Sequence, residues 1–130
     1  MTTEIKLPEG APEEVVTNAL VRDVDLTPFG FAGSLALITL DNGLDHTRPN
    51  TFGAQSLIAL DAAITDAIGR SPAAIGIIGK PFIFAAGADL SALSFLLERS
   101  QSLAIGKLGH DVFRRLDECG VPTFAFINGL

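Results

Sequence analysis

Phe82-Ile83-Phe84-Ala85-Ala86-Gly87-Ala88-Asp89-Leu90 is the stretch on which the reading of this chain turns. Phe82 to Ala86 has the composition of a short, buried strand. Gly87 and Ala88 follow as a small-residue turn, and Asp89-Leu90-Ser91 opens a helical stretch with Leu93, Leu96 and Leu97 on its apolar side. Small side chains let a backbone come close to a ligand. Unpaired N–H groups at such a turn can hold an anion or a developing oxyanion. The simpler reading of the same spacing is a tight strand-to-helix turn with Asp89 as the N-cap, and spacing alone favours it.

Just before this stretch, Ala74 to Ile78 is an apolar run typical of a strand covered on both faces. Just after it, Ser100 to Cys119 keeps a helical step through Leu108, Val112, Leu116 and Cys119, until Gly120 and Pro122 stop it. Thr123 to Ile127 reads as a last apolar strand, closed by the turn pair Asn128-Gly129. Further upstream, Ala54 to Arg70 is helical, with Leu57, Leu60, Ile64 and Ile68 on one stripe and Gly69 and Pro72 at its end. Leu44 to Thr51 is an irregular polar connection. Val15 to Val24 and Ser34 to Leu40 read as an antiparallel pair joined by the loop Thr27 to Gly33. Residues 1–14, broken by Pro8, Gly10 and Pro12, read as a polar tail, so the folded part is expected to begin near Val15.

Strands alternating with helices predict an α/β fold with parallel pairing and crossover helices. The final strand has no following helix to cover it, so the domain reads as cut short at its C-terminal end.

Composition bounds the function. A chain of 130 residues is one domain in size. With 48% hydrophobic and 18% charged residues it can bury a core. Nine Lys and Arg against 15 Asp and Glu leave a net charge of -6, which argues against nucleic-acid and anionic-membrane partners. One cysteine rules out an internal disulfide, and with two histidines a metal site has little support. The first 14 residues lack the apolar core of a secretory signal, and the longest apolar stretches are too short to span a bilayer. A cytoplasmic setting is the expectation. Gly76-Ile77-Ile78-Gly79-Lys80 fails as a phosphate loop, because Pro81 stands where Ser or Thr is needed. No G-x-G-x-x-G is present. His46 and His110 read more simply as surface histidines than as bases, and Cys119 as a buried small residue. Arg99, Lys107, Arg114 and Arg115 are candidates to meet a ligand phosphate.

The stretch Phe82 to Leu90 resembles the crotonase superfamily, the enoyl-CoA hydratases and isomerases. Leu35 to Leu40 resembles that family's first core hairpin strand, which leads to a loop with Arg48-Pro49 and then a helix. Ile75 to Gly79 resembles the strand before the small-residue turn, and Val121 to Gly129 the strand ending in Asn-Gly. The match runs in consistent order over residues 15–130.

The resemblance implies the N-terminal portion of a crotonase-like ββα-repeat spiral, incomplete at its C-terminus. It implies acyl-CoA thioester binding within an enoyl-CoA hydratase, which reversibly hydrates 2-enoyl-CoA in fatty-acid β-oxidation. Ala88 would supply one backbone N–H of the oxyanion hole, worth about 3 kcal/mol to the transition state. Ala86, Ala88, Asp89 and Leu90 would line the coenzyme A, with Phe52 beside them. The family's second oxyanion donor and its catalytic glutamates fall after Leu130, so this chain alone is expected to be inactive. Isomerase or other CoA-thioester chemistry, or a role limited to association with complete subunits, stays open. Coenzyme A would enter as part of the substrate, with no metal and no cofactor needed for hydration. A trimer-type homo-oligomer is implied, with no nucleic acid and no membrane insertion. The loop Leu44 to Gly53 departs from the family's Asn-Arg-Pro and Asn-Ala-Leu pattern. It resembles a variant in the hydratase half of bacterial bifunctional proteins, whose parent would continue into an NAD-dependent hydroxyacyl-CoA dehydrogenase.

Overall fold

The structure is a computed structural model that describes residues 5, 8–96 and 98–130. Leu97, expected on a helix, and residues 1–4, 6 and 7 of the expected tail lie outside the described residues.

β1 (Asn18–Asp25) and β2 (Ser34–Asp41) pair antiparallel, with Asn18 opposite Asp41 and Asp25 opposite Ser34. Their connection is shaped by its own side chains. The Asp25 carboxylate accepts the Thr27 N–H at 3.0 Å and the Thr27 hydroxyl at 2.8 Å, which starts a single 3-10 turn over Thr27–Phe29. α1 (Ala54–Gly69) then crosses to β3 (Ala74–Gly79), which lies parallel to β2 from Leu35–Ala74 to Leu40–Gly79. α2 (Arg99–Asp117) crosses to β4 (Thr123–Phe126), parallel to β3. The strands stand in the sheet in chain order, β1-β2-β3-β4.

Both helices cover one face of that sheet. Alternation along β2 turns Ala36, Ile38 and Leu40 inward, beside Ile75 of β3, against Leu57, Leu60, Ala63, Ile64 and Ala67 of α1 and Val112 of α2. Two alanines complete the buried arc of α1, while Ile68, expected on its stripe, is 37% exposed. Arg115 fastens α2 to α1 through the Asp61 carboxylate and the Thr65 hydroxyl. No described helix is long and apolar enough to cross a membrane. The other face of the sheet has no helix over it. Phe124 and Phe126 stack there with ring centres 6.5 Å apart, and all of β4 is exposed.

Two sequence expectations are corrected. Phe82 to Ala86 is not a strand. The chain reverses at Phe82, whose φ is 68°, and folds back over the end of β3. A side chain on Gly79 would collide with the Ile83 carbonyl, so only glycine permits this return. The apolar content of the segment reflects burial of Ile83 and packing of Phe84 and Ala85 on the core, not membership of the ladder. Nor does a helix start at Asp89. Its carboxylate accepts the Ser91 N–H at 2.9 Å, a local bond that competes with helix formation. Only a 3-10 turn, Leu93–Phe95, follows before α2 begins at Arg99. Leu90 and Leu93 stay exposed, so burial of these two leucines does not favour a longer helix.

Candidate functional site

The loop between β2 and α1 is organised from inside by a lysine. Lys80, at the exit of β3, is 4% exposed. Its ammonium donates to the Asn42 carboxamide oxygen and to the carbonyls of Leu44 (2.8 Å), Asp45 (3.0 Å) and Arg48 (2.6 Å). A buried ammonium must replace its hydration in this way. Lys80 is therefore a brace within the fold. Nearby, the Thr47 hydroxyl and N–H hold the Asp45 carboxyl below the usual carboxylate range, with smaller help from the charges of His46 and Lys80.

Asn42 passes this order on to Asn50. Its side-chain amide donates to the Arg48 and Pro49 carbonyls at 3.1 and 3.0 Å, and its backbone N–H donates to Asn50 Oδ1 at 3.0 Å. Asn50 is fully buried, and its Nδ2 donates to the Leu40 carbonyl at 2.9 Å and the Phe84 carbonyl at 2.8 Å. The end of β2 and the start of the small-residue segment are thus tied to one side chain.

That segment runs beside residues 50–52 as a strand would. Ala86 N–H donates to the Asn50 carbonyl at 2.8 Å, Phe52 N–H to Gly87 at 2.8 Å, and Asp89 N–H to Phe52 at 3.0 Å. The result is a lone parallel bridge between Phe52 and Ala88. In parallel pairing, a residue whose two neighbours make the bonds turns its own N–H and C=O to the opposite side. Ala88 is that residue. Its N–H faces away from Phe52 and has no acceptor among the described residues, and the residue itself is exposed.

Two hollows meet at this point. An apolar cavity of about 460 Å³ is floored by Leu40, Leu57, Leu60 and Ile77 and roofed by Ile105, Gly106, Gly109 and Phe113 of α2. A groove of about 260 Å³ runs past Gly53, Asp89, Leu90 and Ser102. Phe52, Ala88, Ile105 and Gly106 line both. Phe52 meets Phe113 edge to face, with ring centres 5.8 Å apart. No titratable side chain among the described residues lines the apolar cavity. The groove has two carboxylates, Asp89 and Glu14. Glu14 is committed to the start of α1, where it accepts the N–H groups of Gln55 (2.8 Å) and Ser56 (2.9 Å) and the Ser56 hydroxyl (2.6 Å).

Of the residues singled out in the sequence, Ala88, Asp89, Leu90 and Phe52 come together around the groove. Ala86 lines neither hollow, and its N–H is bonded to the Asn50 carbonyl. His46 and His110 are both exposed; His46 lies edge-on to Phe82 on the surface, and neither histidine lines the two hollows. Lys107 pairs with Asp111, Arg114 with Asp111 at 4.0 Å, and Arg115 with Asp61. These helix charges serve the helix surface rather than the groove. Cys119 is half-buried, with its thiol donating to the Val121 carbonyl at 3.4 Å. The sequence reading missed Asn50, Lys80 and Glu14, because their partners lie 8 to 42 residues away along the chain. Among the described residues no cluster of three or more metal-ligating side chains occurs.

No protein-family model matches the chain. No curated protein matches it either. Solved structures do. An enoyl-CoA hydratase/isomerase-type (crotonase) protein of Legionella pneumophila aligns with a TM-score of 0.69 at 19% identity, over 87% of this chain and 40% of its own. An enoyl-CoA hydratase/isomerase of Xanthobacter autotrophicus aligns at 0.70 and 21%, over 88% and 39%. An enoyl-CoA hydratase of Bacillus anthracis aligns at 0.67 and 19%, over 86% and 40%. The fold is therefore the α/β crotonase fold, and the chain spans about 40% of the length of the structures it matches.

Proposed function

We propose that this chain carries the acyl-thioester-binding part of an enzyme acting on enoyl-CoA. The observation that carries the reading is the direction of the Ala88 N–H, turned out of the Phe52 pairing at the meeting point of an apolar cavity and an open groove. The crotonase fold of the chain agrees with it.

A thioester has three parts that need different surroundings. Its acyl chain needs apolar walls, which Leu40, Leu57, Leu60 and Ile77 provide. Its coenzyme A arm needs a path to solvent, which the groove past Asp89 and Leu90 provides. Its carbonyl oxygen, between the two, needs donors. When water adds to the double bond next to the carbonyl, negative charge moves onto that oxygen, and the Ala88 N–H is fixed beforehand to receive it. Removal of one such donor costs on the order of 3 kcal/mol in the chemical step. Hydration also needs a base for the water and an acid for the carbon. No titratable side chain among the described residues lines the apolar cavity, so these residues are expected to bind the thioester without turning it over.

Calorimetric titration with crotonyl-CoA, and with S-butyl-CoA in which a methylene replaces the carbonyl and the double bond is saturated, tests the reading. A preference of about fivefold for the thioester is expected from one hydrogen bond to a neutral carbonyl. Equal affinity for the two would sink the oxyanion role, and no binding of either would sink the function.

A second reading draws on the uncovered sheet face, where Leu35, Phe124 and Phe126 border an apolar hollow of about 560 Å³. In it the chain acts by joining complete subunits of a related enzyme. Sedimentation velocity with such an enzyme would then show a complex of fixed stoichiometry.

A further inference from the structure

We infer that Asn50 is the positioning residue that aims the Ala88 N–H, an inference that rests on the thioester reading above and extends it to a side chain outside both hollows. The segment from Phe84 to Asp89 has left the sheet, so no strand ladder holds it. What holds it on its inner side is four hydrogen bonds, two to Asn50 and two to Phe52. Upstream of Ala88, Asn50 makes two bonds, its carboxamide to the Phe84 carbonyl at 2.8 Å and its own carbonyl to the Ala86 N–H at 2.8 Å, while the Phe84 N–H donates outward to the Leu130 carbonyl at 2.7 Å. Phe52 makes the two that flank Ala88. The Ala88 N–H points opposite to the Gly87 carbonyl of the same trans peptide, which Phe52 holds, and the Asn50 bonds fix the chain that enters the bend at Gly87, where φ is 87°.

Asn50 is suited to this because nothing about it is free to shift. Both Nδ2 hydrogens are used, on Leu40 and Phe84, and Oδ1 is held by the Asn42 N–H. Asn42 is in turn held by the Lys80 ammonium. A carboxamide is the group required: it donates twice and accepts once in one plane. A carboxylate of the same shape has no donors and would set negative charge against two carbonyl oxygens.

The first test needs no substitution. In the intact 130-residue chain, the Asn50 side-chain amide protons should exchange with solvent at least about tenfold more slowly than those of exposed Asn18. Equal rates would overturn the inference. The second test uses Asn50→Asp and the smaller Asn50→Ser, compared by the ratio of crotonyl-CoA to S-butyl-CoA affinity. A merely structural role would weaken both ligands together. A positioning role should bring the ratio from about five to near one while S-butyl-CoA affinity stays within about twofold. A folded variant that keeps the wild-type ratio would overturn it. Should the wild-type chain show no thioester preference, the thioester reading fails by itself. Amide exchange then decides the rest: faster exchange at Ala86 and Asp89 in the variants upholds the role of Asn50 in holding the turn, and unchanged exchange refutes it.

Discussion

Phe52 and Ala88 face each other across a single parallel bridge, and the residue that makes both hydrogen bonds of that bridge, donating to Gly87 and accepting from Asp89, is Phe52, not Ala88. The geometry leaves Ala88 N–H without any internal duty. Replacing the Ala88 amide with an ester, by incorporating lactate at that position, should therefore cost only about 1 kcal/mol of stability, through the weaker ester carbonyl of Gly87 that accepts the Phe52 N–H. The same change should weaken crotonyl-CoA about fivefold and leave S-butyl-CoA unaffected. A large loss of stability would show that the N–H has a partner within the fold.

Gly106 of α2 lines both hollows, and a methyl group there would meet nothing within 4 Å. Gly106→Ala should raise stability by about 0.8 kcal/mol through helix propensity, seen as a thermal midpoint a few degrees higher. Gly106→Leu should instead fill the cavity from its roof. Titration with acyl-CoA of increasing chain length should then show long acyl groups losing affinity while acetyl-CoA keeps it.

Lys80→Met keeps the length of the side chain and removes the charge. Four oxygen acceptors, on Asn42, Leu44, Asp45 and Arg48, would each lose the ammonium as a donor. Urea unfolding should show a loss of about 3 kcal/mol. A loss below about 1 kcal/mol would mean that water replaces the ammonium without cost.

Acid should weaken the fold through a defined set of surface carboxyls. Bonds from Thr27, Thr47, Arg70 and Lys107 hold Asp25, Asp45, Asp66 and Asp111, in that order, below the ordinary value of 3.8. Because the folded-state values are depressed, the stabilisation they give is complete above 3.8 and is lost as pH falls through the folded-state values. Urea midpoints should be flat with respect to these groups near neutrality and drop below about pH 4. Thr47→Val should flatten the part of that drop due to Asp45.

Elements that bury one face were legible in the sequence. Leu57, Leu60 and Ile64 mark α1, and the apolar runs of β2 and β3 mark the centre of the sheet, because periodicity records burial. Phe82 to Ala86 misled for the same reason: apolar composition reports that a segment is covered, not that it joins a ladder. The Asp89 turn was ambiguous because an aspartate serves equally as a helix cap or as a local turn, and the chain uses the second. Ala88 was singled out through resemblance, since an alanine has no chemistry of its own to show. Asn50 and Lys80 gave no local signal. Their roles depend on which carbonyls the fold brings to them, and a polar residue in a loop looks the same whether it is solvated or fully enclosed.

The strand order also determines how the sheet can be made. Each strand joins the edge left by the one before it, so no strand must be inserted between two others. A hairpin of β1 and β2 can form first from neighbouring residues, and β3 and β4 can then add to it as they leave the ribosome, N-terminus first. Sheet growth is directional, like a ratchet that advances by one strand for each helix crossed. Every step leaves behind an edge of unpaired backbone groups, ready to template the next arrival.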